Sequence, residues 1–544
     1  MIWNYFPLPK LQKLVGEETI DTLDVLLPLV DDTSDTFHFM SDKQKLGILA
    51  NSFVDEAHFR NKKNLEDILF YLPPEIFNVL CRELSLEQNR ASGPKLVAKI
   101  SKSKSAFEVF ARLLDIDERF WPKEQDILEP RFISAPPSYE KPIEFSVPFK
   151  RLKNYQHLIF EEAKEELFPA NSRVILQMPT GSGKTRTAME VICDFFLQEK
   201  SEATIIWLAN SSELCEQAVQ CFDETWKFIG NTEVAVHRCW GGLDDGIAQN
   251  LLKSRLNFVV CSLQTVWSRI QKGTFPGSRC SLLIVDEAHI ALAETYKLSI
   301  EEIQRASNCR VLGLTATPGR SEEVATEALS GMFHGKLSRL KDPTGRIENA
   351  ITFLRSIKVL STVEYIEINS NLTINENQAK GDEYSDKLLK IIGTDPDRLQ
   401  IVVGSLIPFL KEGKKVILFA PTKASSKFFA SIFTYLGFAA AHVDGDTPAL
   451  TRRTTIRDFN EHKIQLISNY GVLATGFDSP KIDLVCLARP TKSAVLYSQM
   501  IGRGLRGPAV GGTEHCTILE VKDNFVGMAT ETDLYNIFDD YWNE

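Results

Sequence analysis

The residues best suited to chemistry begin at Met178-Pro179-Thr180-Gly181-Ser182-Gly183-Lys184-Thr185. Two glycines ahead of a lysine and a hydroxyl let backbone amides turn inward around phosphate oxygens, and a following helix N-terminus adds a favourable dipole. Thr180, Gly181, Ser182 and Gly183 would wrap the phosphates. Lys184 would reach the β/γ-phosphates and the Thr185 hydroxyl would ligate Mg²⁺. The run departs from G-x-x-x-x-G-K-[ST] at Met178, where that pattern has glycine. About a hundred residues on, Leu283-Ile284-Val285 runs into Asp286-Glu287-Ala288-His289. Apolar residues ending in two acids place carboxylates at the C-terminal edge of a strand, where open α/β sheets bind ligands. Asp286 is suited to hold Mg²⁺ through its water shell, and Glu287 to orient or deprotonate an attacking water. Alone, the first run reads as a Gly/Ser turn and the second as a solvated strand end. Together, in this order, they point to nucleoside triphosphate chemistry.

Such groups need a sheet to hold them. Short β-branched apolar runs at Val174–Met178, Thr204–Ala209, Asn257–Cys261, Ser281–Asp286 and Arg310–Leu314 alternate with amphipathic stretches, as in a parallel sheet covered by helices. The alternation resumes at Lys415–Ala420, Ile464–Ser468, Asp483–Ala488 and Cys516–Val521. The chain therefore divides into a helical N-terminal accessory domain (1–128), a proline-rich extended linker (129–149), a first α/β domain (150–340), a connecting segment (341–395), a second α/β domain (396–525) and a tail (526–544). In the N-terminal part, Leu65, Ile68, Leu69 and Leu72 repeat at the spacing of one helix face.

Further motifs follow in order. They are Tyr155-Gln156, Leu314-Thr315-Ala316-Thr317-Pro318, Gly471-Val472-Leu473-Ala474-Thr475-Gly476-Phe477-Asp478 and Gln499-Met500-Ile501-Gly502-Arg503-Gly504-Leu505-Arg506. With the phosphate loop and the acidic run, the chain resembles a superfamily-two helicase of the DEAD/DEAH-box class over about residues 150–525. Within it, the chain resembles the RadD-like and restriction-enzyme translocase branch. The resemblance implies two tandem RecA-like domains with ATP and Mg²⁺ between them. It implies that Tyr155 and Gln156 read adenine, that Gly476 and Asp478 reach the nucleotide, and that His289, Thr315 and Thr317 couple hydrolysis to strand movement. It makes Arg503 and Arg506 arginine fingers, with Gln499 near the γ-phosphate. A guanidinium placed there is worth ~10³–10⁵ in rate. It assigns strand contacts to Ser211, Ser212, Gly241, Gly242, Gln264 and Thr265 in the first domain. In the second it assigns them to Thr422, Lys423, Asp444, Gly445 and Thr475. Small, hydroxyl and glycine residues grip phosphates without reading bases.

Composition sets the frame. Lys+Arg 62 against Asp+Glu 72 gives a net charge of −10, which does not advertise nucleic-acid binding. One stretch runs the other way: between Gln88 and Phe107 there is no acid, and Lys95, Lys99 and Lys102 share one helix face with Leu96 and Ile100 on another. That face is either a solvated helix surface, a phosphate-backbone contact or a docking surface for a protein partner. Ten scattered cysteines, none in a C-x-x-C pair, argue against structural zinc. The N-terminus lacks the pattern of a signal peptide and no apolar run is of membrane-spanning length, so a cytoplasmic location is expected. The reading is an ATP-driven DNA helicase or translocase serving repair, restriction or antiviral defence. An ATP-gated clamp that does not unwind and an RNA helicase stay open as alternatives.

Overall fold

The computed structural model describes residues 2–15, 61–116, 131–133, 151–199, 201–241, 251–319, 323–346, 350–370, 379–380, 383–473 and 481–522, with isolated positions at 43, 46–47, 50, 58–59 and 372. Two parallel sheets organise them. The first has eight strands: β1 (Arg131–Ile133), β2 (Arg173–Gln177), β3 (Ala203–Ala209), β4 (Val234–Cys239), β5 (Leu256–Ser262), β6 (Cys280–Asp286), β7 (Arg310–Thr315) and β8 (Leu337–Arg339). Their spatial order is β1-β4-β5-β3-β6-β7-β2-β8, and every neighbouring pair is parallel except β1 with β4. The second sheet is built from β9 (Thr362–Asn369), β12 (Val416–Phe419), β13 (Ala440–Val443), β14 (Leu466–Asn469), β15 (Leu484–Leu487) and β16 (His515–Lys522). Its order is β13-β14-β12-β15-β16-β9, parallel throughout. A two-residue ladder, β10 (Ala379–Lys380) with β11 (Glu383–Tyr384), stands apart.

A parallel sheet needs helical crossovers, so both faces are covered and its strands read as unbroken apolar runs. β3 and β5 are buried along their whole length. On one face of the first sheet Phe196, Phe222, Trp226 and Phe258 pack together, with the Phe222 and Phe258 ring centroids 4.4 Å apart. The same cluster continues through Ile351, Leu354, Val359 and Leu360 to Ile417, Phe419 and Val485 of the second sheet. The other face of the first sheet closes over Phe333, Ile300 and Val285. The two domains are thus joined by apolar packing as well as by chain.

Three boundaries differ from the sequence reading. The proline-rich stretch 129–149 is not linker throughout, because β1 extends the first sheet antiparallel to β4. The connecting segment 341–395 supplies β9, the edge strand of the second sheet, paired with β16 from Thr362–His515 to Asn369–Lys522. The helical region at the N-terminus does not stand alone. Trp3, Leu65, Phe77, Leu96, Phe107 and Phe110 belong to one apolar cluster with Leu399, Leu418, Phe429 and Cys486 of the second domain. There the predicted faces are observed: Leu65, Ile68 and Leu69 are buried on the helix Lys62–Tyr71, and Leu96, Val97 and Ile100 on the helix Gly93–Lys102.

Gly313 shows how tightly the first sheet is closed behind its carboxylates. A Cβ there would lie 2.9 Å from both Ala288 Cβ and the Phe333 ring. Gly313→Val is expected to lower stability by about 1–3 kcal/mol through overpacking. Thermal unfolding checks this, and an unchanged midpoint would contradict it.

Candidate active site

β2 runs through Gln177 into the phosphate loop, and the Met178 amide donates to the Thr315 carbonyl at 3.1 Å. That bond ties the loop to the end of β7. Gly181 (φ 85°) and Gly183 (φ 92°) take the left-handed conformation that L side chains resist. A Cβ on Gly183 would fall 2.3 Å from Gln156 Nε2. The Ser182 hydroxyl donates to the Pro179 carbonyl at 2.7 Å, and the helix Lys184–Gln198 starts directly after the turn. Its N-terminal amides and dipole therefore face the cavity.

Tyr155 and Gln156 lie behind this loop. Tyr155 Oη donates to the Ser182 carbonyl at 2.7 Å. Gln156 Oε1 accepts from the Lys153 amide at 2.9 Å, and its Nε2 donates to the Ser182 and Gly183 carbonyls at 3.4 Å. The Gln156 amide is thus committed to shaping the loop, a use the base-reading expectation did not include. Both residues also line a cavity of about 920 Å³ beside the loop, with Arg151, Phe228 and Val510.

Asp286 and Glu287 end β6. Glu287 sits at φ 52°, ψ 55°, a left-handed conformation costing roughly 1–2 kcal/mol for a residue with a side chain. Strain of this kind persists where the surroundings fix it. Lys184 Nζ is 3.8 Å from one Glu287 oxygen, and His289 Nδ1 is 3.4 Å from the other. Burial would raise the Glu287 pKa, but Lys184, His289, Arg503 and a hydrogen bond from Gln499 outweigh it and hold the carboxyl below its usual range. Asp286 goes the opposite way, raised to about 7 by burial and by the neighbouring Glu287 charge, with Lys184 compensating only in part. The three coupling candidates meet directly: His289 Nδ1 is 3.2 Å from Thr315 Oγ1, which donates to the Thr317 carbonyl at 2.9 Å and accepts from the Thr317 amide at 3.1 Å.

The second domain closes the cavity. Thr180, Gly181, Gly183, Lys184, Thr185, Asp286, Glu287, Arg503 and Arg506 line one space of about 340 Å³. Gln499 lies on the helix Ala494–Ile501 and bonds to Glu287. Gly502 passes so close to the phosphate loop that a Cβ would sit 2.4 Å from Thr180 Cγ2. Arg506 is held by residues that the sequence reading left inside the connecting segment. Leu360 bridges it antiparallel, and the buried Ser361 hydroxyl lies 2.6 Å from the Arg506 carbonyl and 2.8 Å from the Thr513 carbonyl. A Cβ on Gly512 would be 1.9 Å from the Arg506 carbonyl oxygen, so only glycine fits that return turn.

The strand-contact candidates divide. Ser211 caps the helix Ser212–Ile229 by accepting from the Leu214 amide, and Thr422 caps the helix Lys423–Tyr435 by accepting from the Ser425 amide. Thr265 bonds to Ser262, which caps the helix Leu263–Gln271. Ser212 and Gln264 are exposed, and Gly241 (φ 60°) leaves open space where a Cβ would stand. Lys423 Nζ pairs with Asp446 at 2.5 Å. Asp444 is a correction: it is buried, and its carboxylate accepts from the Asp446 and Thr447 amides and the Thr447 hydroxyl, 3.2 Å from His442 Nε2. It builds the turn that presents Gly445 and offers no side chain to a strand. Lys95, Lys99 and Lys102 are all exposed, and Lys99 donates to the Leu84 carbonyl at 2.6 Å past the end of the helix Pro74–Glu83. Gly242, Thr475, Gly476 and Asp478 lie outside the described residues.

One contact was not anticipated. Arg452, on the helix Ala449–Asn460, pairs with Glu213 of the first domain and donates to the Asp444 and Thr447 carbonyls at 3.0 and 3.2 Å. It joins the candidate strand loops of the two domains. Nothing local marks either residue in the sequence, since an arginine and a glutamate on amphipathic helices read as surface charge.

Two parallel α/β domains with a phosphate loop and acids on one side of a cleft and two arginines on the other define the tandem RecA-like class. Residues 149–320 match the family described as type III restriction enzyme, res subunit, and residues 398–507 the helicase conserved C-terminal domain, together just over half of the chain. The chain belongs to the superfamily-two helicases, of the restriction-enzyme-like kind. It is 23% identical over 401 residues to a Saccharomyces cerevisiae protein named for an ATP-dependent helicase, IRC3, covering 72% of this chain and 54% of that protein. It is 27% identical over 336 residues to a "51.5 kDa protein" of a Lactococcus phage, covering 61% and 62%. A solved Type ISP restriction-modification enzyme, LlaBIII, superposes with a TM-score of 0.49 at 18% identity, covering 72% of this chain and 29% of that one. The chain thus spans roughly half to three-fifths of the length of these curated relatives.

Arg452→Ala and Glu213→Ala are each expected to weaken nucleic-acid stimulation of ATP turnover. In a double-mutant cycle their effects should be non-additive by about 0.5–3 kcal/mol, as for residues in contact. Additive effects would show that the pair does not couple the domains.

Proposed function

We propose that this chain is an ATP-driven motor on DNA, a helicase or translocase that couples hydrolysis of Mg-ATP to movement. The observation that carries the reading is the single cavity lined by Lys184 and Glu287 from one domain and by Arg503 and Arg506 from the other. The glycine turn and helix N-terminus receive the phosphates, and Lys184 neutralises the β/γ oxygens. Glu287, held anionic, accepts a hydrogen bond from the attacking water and orients it in line with the γ-phosphorus. Arg503 and Arg506 stabilise the charge that develops on the transferred group. Thr185 and Asp286 line the same cavity, and a hydroxyl with a carboxylate is the oxygen donor set that a hard cation takes, so they fit Mg²⁺. When bound, that ion neutralises charge between the β- and γ-phosphates.

Movement follows from the geometry. Arg503, Arg506 and Gln499 come from the second domain to the cavity that Lys184 and Glu287 line, so a γ-phosphate there favours closure and its loss relaxes it. The Glu287–His289–Thr315–Thr317 chain links the hydrolytic carboxylate to the end of β7. A restriction-enzyme-type first domain favours DNA, and strand grip by helix N-termini and small residues favours little sequence preference.

The decisive experiment measures ATP turnover in parallel with single-stranded DNA, duplex DNA, forked DNA and RNA. Stimulation by DNA over RNA is the expected result; stimulation by RNA alone would favour an RNA remodeller. Stimulation without strand displacement or translocation would favour an ATP-gated clamp. Lys184→Ala and Glu287→Gln should abolish turnover, and wild-type turnover in either would remove the site assignment. Arg506→Ala should retain nucleotide binding and lose about 10³-fold or more in kcat. An unchanged kcat would take Arg506 out of the reacting set.

A further inference from the structure

The parallel strands of the second sheet all end on one edge, and that edge carries a group of aromatic and cationic side chains that the motifs do not include. Tyr470 follows β14 directly, and the Arg489 guanidinium, just after β15, lies 5.2 Å from the centroid of its ring. Three residues further on, the exposed Lys492 ammonium lies 5.4 Å from the Tyr384 ring. Tyr384 anchors a small apolar cluster with Leu388, Leu389 and Ile392, on the helix Asp386–Thr394. That helix packs so close to Thr422 that a Cβ on Gly393 would come 3.1 Å from its hydroxyl. Lys423 stands next in the chain and feels the Tyr470 hydroxyl electrostatically.

The shelf is rigid. The Tyr470 amide donates to the Val443 carbonyl at 3.2 Å, and Asn469 Nδ2 donates to the Leu418 carbonyl at 2.9 Å. The fully buried Arg398 donates to the Ala488 carbonyl at 2.7 Å, fixing the chain just before Arg489. Ser493 then caps the helix Ala494–Ile501, so the loop bearing Arg489 and Lys492 continues into the helix bearing Gln499.

We propose that Tyr470, Arg489 and Lys492 form a stacking and phosphate-binding shelf for a single nucleic-acid strand, running beside the glycine and hydroxyl contacts of Thr422 and Gly445, with the buried Tyr384 ring holding the Lys492 ammonium. Every base has a π-face, so aromatic stacking adds affinity without sequence preference, and neighbouring guanidinium and ammonium groups neutralise the backbone between stacked bases. The shelf rests on the reading that this chain moves on nucleic acid. It adds to that reading a grip that a track of amides and hydroxyls lacks in a chain of net charge −10. Its place at the start of the Gln499 helix ties strand occupancy to the contact that Gln499 makes with Glu287.

The test is binding of fluorescent oligothymidylate to the full chain across a salt series, together with ATP turnover. Wild type first establishes that oligothymidylate binds and stimulates; if it does neither, the motor reading itself falls. Given stimulation, the Arg489→Gln/Lys492→Gln double variant should reduce the slope of log affinity against log salt by about 1.4, two phosphate contacts on a single strand. Tyr470→Ala should bind about tenfold or more weakly, whereas Tyr470→Phe should bind like wild type. In all three, turnover without nucleic acid should stay within about twofold of wild type, a readout that misfolding would move. Wild-type affinity and salt slope in variants with normal basal turnover would overturn the shelf.

Discussion

The structure depends on one constraint: a carboxylate that must stay charged in a buried place. Glu287 can do so only because cations and donors reach it from both sides of the cleft. Lys184 and His289 approach from its own domain, and Gln499 and Arg503 from the other. Removing a charged carboxylate from water costs far more than one ordinary hydrogen bond returns. The second domain therefore completes the solvation of this group, and the carboxylate and the domain interface become one device. Asp286, one residue away, has only Lys184 and the Glu287 amide to offset its burial and the Glu287 charge, and is pushed toward the neutral form.

Much of the surrounding architecture serves to bring the second set of groups to the first with little slack. The stretch Gly502–Gly512 threads between Thr180, Cys516, Lys358 and Arg506 at distances that exclude a Cβ at Gly502, Gly504, Gly507 and Gly512. Leu360 and Ser361, just before β9 and far earlier in the chain, pin the Arg506 backbone. A guanidinium on a surface helix would sample many rotamers. Here its main chain is fixed, so less ordering remains to be done when the triphosphate arrives.

What the sequence made legible follows the same division. Phosphate binding needs glycine at positive φ, a lysine and a hydroxyl at fixed spacing, and hydrolysis needs an acid at a strand end. Those demands are local, so Gly181, Gly183, Lys184, Asp286 and Glu287 could be read directly from the chain. Ser361 and the Glu213–Arg452 pair act through partners far away in sequence, and their residue types are common on any surface. β9 escaped notice because an edge strand buries little: Val363, Ile366 and Ile368 are only half-buried and the residues between them are exposed, which leaves no apolar run to recognise. The resemblance assigns Asp444 to strand contact, together with Gly445. The carboxylate instead satisfies the amides of its own turn, the commonest local use of an aspartate.

The acidic balance of the chain acquires a different meaning once the grip is placed. A net charge of −10 repels a polyanion at long range, so passive adhesion along the whole surface is disfavoured. Ser211, Ser262 and Thr422 each cap a helix at a sheet edge, and a helix N-terminus offers a partial positive charge that counts in no composition. These termini belong to different domains, and the Glu213–Arg452 pair joins the first-domain helix to the second-domain turn. On the proposed motor reading, such a field would be assembled by closure and dispersed by opening. In such a design a weak average attraction is an advantage, because a strand held everywhere by bulk charge could not be released once per cycle.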